Sequence, residues 1–300
     1  MSFRSGFVGI VGRPNVGKST LMGAIIGEKI SIISDKPQTT RNRIMGVWHG
    51  DDFQVVFLDT PGVHKGKYGI NDFMLNTAFS VLSEVDILLL VVEYWETGGQ
   101  EFNLLLGELR SRHRELPPVF LVVNKIDLAE DKHEILESIA RQKDLFDFAG
   151  IIPVSALNGE NLDRLKALIV EQMEEGPRYF PEDMITDQSE RFLVAEFIRE
   201  KVFVLTRDEI PHSIAVQVEQ FVTEENRLVI SACIYVERDS QKGMIIGKRG
   251  AMIKEIGSQA RVDLERMLGT KVFLELHVKV SRDWRKTSAR LREFGYTEQV

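Results

Sequence analysis

The sequence predicts an α/β domain built on a mostly parallel sheet, followed by a small α+β domain. Three observations predict it. Across residues 1–174, short apolar strands alternate with segments of helical spacing, the pattern of a sheet covered on both faces. The alternation stops at Glu174-Glu175-Gly176-Pro177, with Pro181 close behind, so residues 175–182 read as a linker. Residues 183–300 then run in the order α-β-β-α-α-β. A chain of 300 residues is long enough for two such cores.

Taken in order, residues 7–11, 55–58, 87–92, 119–123 and 151–154 read as short buried strands. Residues 18–27, 100–112 and 162–173 carry helical spacing between them. In the second half a helix is expected over 188–205, then strands over 214–221 and 228–237, with Asn226-Arg227 at the tight hairpin. A short helix leads to a glycine turn at 247–250, a longer helix covers 251–267, and a strand over 271–280 follows.

Composition narrows the function. The net charge of -7 argues against a general nucleic-acid coat protein, yet residues 240–292 hold 13 Lys/Arg against 5 Asp/Glu. A local patch of that size can hold a polyanion on an acidic protein. The one cysteine, Cys233, sits in an apolar run and reads as a small buried side chain in a reducing compartment. No run approaches the roughly 18 apolar residues of a membrane span, and residues 1–12 lead into a strand rather than a signal peptide. None of the six histidines has metal-ligand spacing; His64 lies where a nucleotide-sensing loop is expected.

Five short motifs in one order describe a pocket for a magnesium-bound guanine nucleotide: GRPNVGKS (12–19), QTTR (38–41), DTPG (59–62), NKID (124–127) and SAL (155–157). In the first, Gly12 and Gly17 let backbone wrap a phosphate that the N–H groups of the next helix cradle. Asn15, Val16 and Thr20 complete that loop, Lys18 supplies charge to the outer phosphates, and the Ser19 hydroxyl is placed for Mg2+. Asp59 holds the same metal and Gly62 offers its N–H to the γ-phosphate. Thr40, or its neighbour Thr39, completes the metal shell only while that phosphate is present. The expected catalytic group is Lys18, Ser19, Thr40 and Gly62. Asp127 accepts the N1 and N2 donors of guanine, which adenine lacks. Asn124 braces the base loop, the Lys125 stem covers the ring, and SAL (Ser155, Ala156, Leu157) offers the Ala156 N–H to guanine O6. The residue after DTPG is Val63, which cannot orient water, so intrinsic hydrolysis should be slow, on the order of 10⁻⁴–10⁻² s⁻¹. Arg41 and Arg43 are the nearby candidates for neutralising transferred charge.

These motifs, with the glycine turn Ile246-Gly247-Lys248-Arg249-Gly250 and the linker elements Tyr179-Phe180-Pro181-Glu182-Asp183 and Ile185-Thr186-Asp187, resemble the Era family of bacterial GTPases along essentially the whole chain. The resemblance implies an α/β P-loop (Ras-like) GTPase domain over 1–174, the 175–182 linker, and a small α+β type II KH domain with a C-terminal tail over 183–300. It implies hydrolysis of GTP to GDP and phosphate with Mg2+, and a K+ ion beside Asn15. It also implies binding near the 3′ end of 16S rRNA during small ribosomal subunit maturation, and a cytoplasmic protein with peripheral membrane contact. Monomer is the default expectation.

On its own terms, a KH domain clamps about four nucleotides beside its GxxG loop. Here Ile246, Gly247, Lys248, Arg249, Gly250 and Lys254 are the expected RNA contacts, with Lys242 and Arg261 adding phosphate contacts. Ile245, Ile246 and Ile253 are expected to wall the groove. Trp284-Arg285-Lys286 reads as a basic-aromatic surface spot. A different class remains open: a signalling or membrane-recruitment GTPase whose KH-like domain binds protein or anionic lipid.

Overall fold

The computed structural model describes residues 2–31, 40–62, 77–96, 99–112, 116–206, 210 and 213–296. Gln38, Thr39, Val63, His64, His113 and His212 lie outside them. The described residues divide into two units, one ending at Asp187 and one beginning at Gln188.

The first unit runs β1 (Arg4–Gly12), α1 (Lys18–Ile26), β2 (Ile44–His49), β3 (Phe53–Asp59), β4 (Ile87–Glu93), α2 (Gln100–Arg112), β5 (Val119–Asn124), α3 (Lys132–Gln142), β6 (Gly150–Pro153) and α4 (Leu162–Gln172). The sheet order is β2-β3-β1-β4-β5-β6. Every described pairing is parallel except β2 with β3. Apolar runs such as Ile87–Val92 are buried on both faces, as a covered parallel sheet requires. The ends of β1, β3, β4 and β5 share one edge, where ligands of open α/β sheets bind.

Two elements lack a clear signal in the sequence. Strand β2 carries Gly46 at its centre, a residue depleted in strands; here the side chains of Ile26 and Ile30 occupy the space a Cβ would need. Helix α3 is short and mostly polar, and is started by Asp131, whose carboxylate accepts the His133 N–H at 3.0 Å.

Residues 175–187 are tied to the first unit. The buried Gln54 amide accepts the N–H groups of Tyr179 and Phe180 at 2.8 and 3.0 Å and donates to Phe180 O at 2.8 Å. Phe180 and Met184 pack on the first core. Val47 N–H donates to Ile185 O and Thr186 Oγ1 to Met45 O, so this segment covers the edge of β2.

The second unit runs α5 (Glu190–Leu205), β7 (Ala215–Glu224), β8 (Arg227–Val236), α6 (Asp239–Ile246), α7 (Ala251–Leu268), β9 (Val272–Val280) and α8 (Ser288–Glu293). Strand β8 is central, antiparallel to β7 and parallel to β9. Glu224 pairs with Arg227, so the hairpin loop is Glu225-Asn226, one residue earlier than expected. Cys233 is buried, as its apolar setting predicts. Trp284 is not the surface spot expected: it has no exposed area, donates from Nε1 to Ser213 O at 3.0 Å, and packs on Phe294 and Tyr296. Among the described residues, no helix is long and apolar enough to cross a membrane.

Candidate functional site

The loop between β1 and α1 places the first motif. Gly17 has φ 97, a left-handed conformation, and a side chain there would meet the Asn124 amide. Asn15 is also left-handed, with φ 66. The Lys18 ammonium lies back across the loop, 3.0 Å from Arg13 O and 3.4 Å from Gly12 O. Burial lowers the Lys18 pKa to about 8 despite the nearby Asp59 carboxylate. Thr20 stands partly buried in the first turn of α1.

The three expected metal ligands converge. Ser19 Oγ lies 2.5 Å from Asp59 Oδ2 and 2.9 Å from Thr40 Oγ1. Asp59 has no exposed surface, and burial raises its pKa to about 6 against the opposing pull of Lys18 and the Ser19 hydroxyl. Its second oxygen, Oδ1, has no hydrogen-bond partner among the described residues. A buried unpaired carboxylate oxygen beside two hydroxyls is a hard-oxygen donor set that fits Mg2+. Gly62 comes close to the phosphate loop: a Cβ there would sit 2.6 Å from Pro14 N and Cα. Thr60 Oγ1 donates to Ile10 O at 2.7 Å and ties the start of the DTPG loop to β1.

On the base side, Asn124 Nδ2 donates to Val16 O at 2.8 Å, joining the NKID loop to the phosphate loop. Ser155 Oγ donates to Asp127 Oδ1 at 2.6 Å, which aims that carboxylate. The Ala156 N–H donates to Asn124 Oδ1 at 3.0 Å and braces that side chain. Leu157 is 76% exposed and stands outside this network. Lys125 pairs with Glu93 at 2.5 Å, a partner no motif announces. Of the two arginines named as candidates for neutralising transferred charge, Arg41 is buried at 1% exposure and Arg43 pairs with Glu84 at 2.6 Å.

In the second unit, α6 ends at Ile246 and α7 begins at Ala251, with the glycine turn between. Gly247 and Gly250 have φ 72 and 77, and Arg249 itself is left-handed at φ 55, which sets Lys248 and Arg249 outward and exposed. Lys254 is exposed one turn later. A cleft runs between α7 and β9, with Ile253 and Leu276 as apolar wall and Lys254 and Arg261 as cationic rim. Ile246 and Ile253 are partly buried, but Ile245 has no exposed area and belongs to the core rather than the groove wall. The strand side of the cleft, Leu274 to Leu276, carries no signal in the sequence because its alternation is that of any half-buried edge strand. Among the described residues no cluster of His, Cys, Asp or Glu forms a further metal site.

Comparison with known proteins agrees with this division. The family described as "50S ribosome-binding GTPase" matches residues 7–125, and the KH domain family matches residues 209–285. GTPase Era of Geobacter metallireducens is 52% identical over 297 residues, 98% of each chain. GTPase Era of Geotalea daltonii is 52% identical over 295 residues, again 98% of each. A tyrosine-to-alanine variant of Aquifex aeolicus Era bound to GDP·AlF4⁻ superposes with TM-score 0.94 at 41% identity, covering 99% of this chain and 100% of that one. Era in complex with MgGDPNP and nucleotides 1506–1542 of 16S ribosomal RNA superposes with TM-score 0.95, at the same identity and coverage.

Proposed function

The chain belongs to the Era family of GTPases, and from that premise we propose that it is a GTP-driven switch that binds the 3′ end of 16S rRNA while the small ribosomal subunit matures. The reaction is hydrolysis of GTP to GDP and phosphate. The observation that carries the nucleotide half is the convergence of Ser19, Thr40 and Asp59 on one point. When bound there, Mg2+ neutralises phosphate charge. Lys18 holds the outer phosphates, and the loop N–H groups after Gly12 orient them. Asp127 selects guanine through its paired donors, because adenine would leave this carboxylate buried and unmatched. Gly62, packed against Pro14, brings the DTPG backbone to the γ-phosphate end of the loop. Asn15 is the position for an added K+ ion; equal hydrolysis rates in sodium and potassium would remove that part of the reading.

The RNA half rests on the exposed pair Lys248 and Arg249 between two left-handed glycines, beside an apolar cleft with a cationic rim. Backbone at such glycines approaches phosphates closely, and the cleft takes unstacked bases. A related Era holds nucleotides 1506–1542 of 16S rRNA, which supports the same ligand here. The reading includes a cytoplasmic, monomeric protein with peripheral membrane contact.

The test is binding of a fluorescent single-stranded RNA ending in the 16S 3′ sequence, at fixed salt, with GDP and with a non-hydrolysable GTP analogue. Tighter binding with the analogue, abolished by Lys248→Asp with Arg249→Asp, supports the switch. Equal, salt-labile binding in both states overturns it. Displacement of the RNA by anionic vesicles would put lipid recruitment in its place.

A further inference from the structure

The segment Glu93-Tyr94-Trp95-Glu96, at the end of β4, grips both halves of the nucleotide pocket. On the base side, Tyr94 N–H donates to Asn124 O at 3.0 Å and its hydroxyl donates to Leu128 O at 3.0 Å, bracketing the NKID motif. Between those two bonds, Glu93 Oε1 receives the Lys125 ammonium at 2.5 Å, and the same ammonium lies 5.4 Å from the Trp95 ring centroid. Trp95 is held edge-on by Tyr94 at 4.9 Å and remains 45% exposed. Lys125 itself has φ 64, a conformation that costs a non-glycine residue energy and persists only where its surroundings hold it.

On the phosphate side, Glu96 is 8% exposed and its Oε2 pairs with Arg13 Nη1 at 2.5 Å, inside GRPNVGKS. Glu96 is fixed from behind: its carboxylate Oε1 accepts the Gly99 N–H at 3.1 Å, and the buried Gln142 amide donates to its backbone carbonyl at 2.8 Å. Four consecutive residues therefore anchor one side chain of the base loop and one of the phosphate loop. Among the described residues, neither carboxylate bonds Ser19 or Asp59, whose bonds run to each other and to Thr40.

We infer that Glu93, Trp95 and Glu96 are positioning residues that hold Lys125 over the guanine ring and Arg13 in the phosphate loop, and so set how long the nucleotide stays bound rather than how fast it is hydrolysed. The inference rests on the guanine-nucleotide reading of the pocket. The geometry separates the two quantities. Loosening Lys125 and Arg13 weakens ground-state and transition-state binding alike, which raises KM and speeds release while leaving kcat in place. Charge-assisted hydrogen bonds of this kind correspond to about 10-fold in a rate or affinity.

The experiment is release of a fluorescent GDP analogue from the full chain, with single-turnover hydrolysis and the melting temperature of the nucleotide-free protein measured alongside. Glu93→Gln and Glu96→Gln should each speed release about 10-fold with hydrolysis within about twofold of wild type. Glu96→Asp, which keeps the negative charge for Arg13, should release more slowly than Glu96→Gln. Trp95→Phe should remove most of the change in intrinsic emission that GDP produces. Release at the wild-type rate in both glutamine variants overturns the inference. So does faster release that tracks a lower melting temperature and a slower hydrolysis step, with Glu96→Asp no slower than Glu96→Gln. A wild-type chain that binds no guanine nucleotide would instead overturn the reading of the pocket itself.

Discussion

Ser19 Oγ and Asp59 Oδ2 are 2.5 Å apart, and the carboxylate they share this contact through has no exposed surface. The two residues come from different elements, one in the first turn of α1 and one closing β3. Burying a carboxylate this way is costly in the nucleotide-free protein. The cost makes sense at a cation site, where a charged group must be ready and poorly hydrated.

The first prediction follows from the titration of that pair. Asp59 titrates near 6 when folded, against 3.8 unperturbed. Between those values the native state holds a proton that the unfolded chain lacks, so the group's contribution to stability is lost as pH rises through 6. Asp59→Asn removes this penalty. At pH 7.5 without nucleotide the variant should be more stable, by up to about 3 kcal/mol, with the difference vanishing near pH 4. Magnesium-dependent nucleotide binding should weaken sharply, and in wild type it should fall as pH drops below about 6. Urea unfolding at both pH values, with magnesium titration, checks the pair of outcomes. Lys18 has the opposite sign: its folded value near 8 lies below 10.5, so its contribution is present above 10.5 and lost as pH falls through 8.

Gly62→Ala places a methyl 2.6 Å from Pro14 backbone atoms, which cannot yield as a side-chain tip would. The DTPG loop must move away from the phosphate loop. Binding of GDP, which lacks the γ-phosphate, should change less than about threefold, while hydrolysis should fall by about 10²-fold, the scale for a displaced transition-state donor. Single-turnover rates beside GDP titrations measure both; equal losses in the two would point to a general distortion of the pocket.

The nucleotide pocket was legible because its chemistry restricts residue types at fixed spacing. Gly17 must be left-handed, Asp127 must be an acceptor, and Ser19 must carry a hydroxyl. The supporting partners were not legible. Glu93 and Glu96 are ordinary acidic residues whose roles exist only once β4 lies beside β5 and the phosphate loop. Strand β2 hid behind Gly46, whose missing side chain is a demand of Ile26 at the end of α1 and Ile30 just beyond it. Trp284 read as surface because basic residues flank it, while the aromatic partners that enclose it follow ten and twelve residues later.

That enclosure gives a third prediction. Ser213 ties the tail to the helix before the glycine turn: its carbonyl accepts Trp284 Nε1, and its hydroxyl accepts Gln241 Nε2 at 2.8 Å. Gln241 in turn caps the start of α6 through the N–H groups of Glu237 and Arg238. Trp284→Ala should destabilise the KH unit by about 3–5 kcal/mol, lowering RNA affinity through the fold. Trp284→Phe keeps most of the packing and should cost less than half as much. Hydrogen exchange across residues 239–250 would locate the loss, and unchanged protection there would show that the tail does not support the turn.

The last prediction concerns Gln54, the hub of the segment before Asp187. Its amide is fully buried and makes three hydrogen bonds to Tyr179 and Phe180 backbone. Truncation to alanine removes all three and strands two N–H groups and one carbonyl in a dry site, where each unsatisfied group costs about 1–3 kcal/mol. Water entering the space recovers part of this, so a net loss of about 3 kcal/mol is expected for Gln54→Ala. The loss should be local in character. Phe180 and Met184 would detach from the first core while the nucleotide pocket, at the opposite end of β3 where Asp59 lies, keeps its GDP affinity. Limited proteolysis should then cut within residues 175–187 faster than in wild type, with GDP bound throughout. A variant that resists cleavage there, despite the same stability loss, would show that the remaining ties, such as Val47 and Met45 to Ile185 and Thr186 and His49 to Met184 O, hold the segment without Gln54.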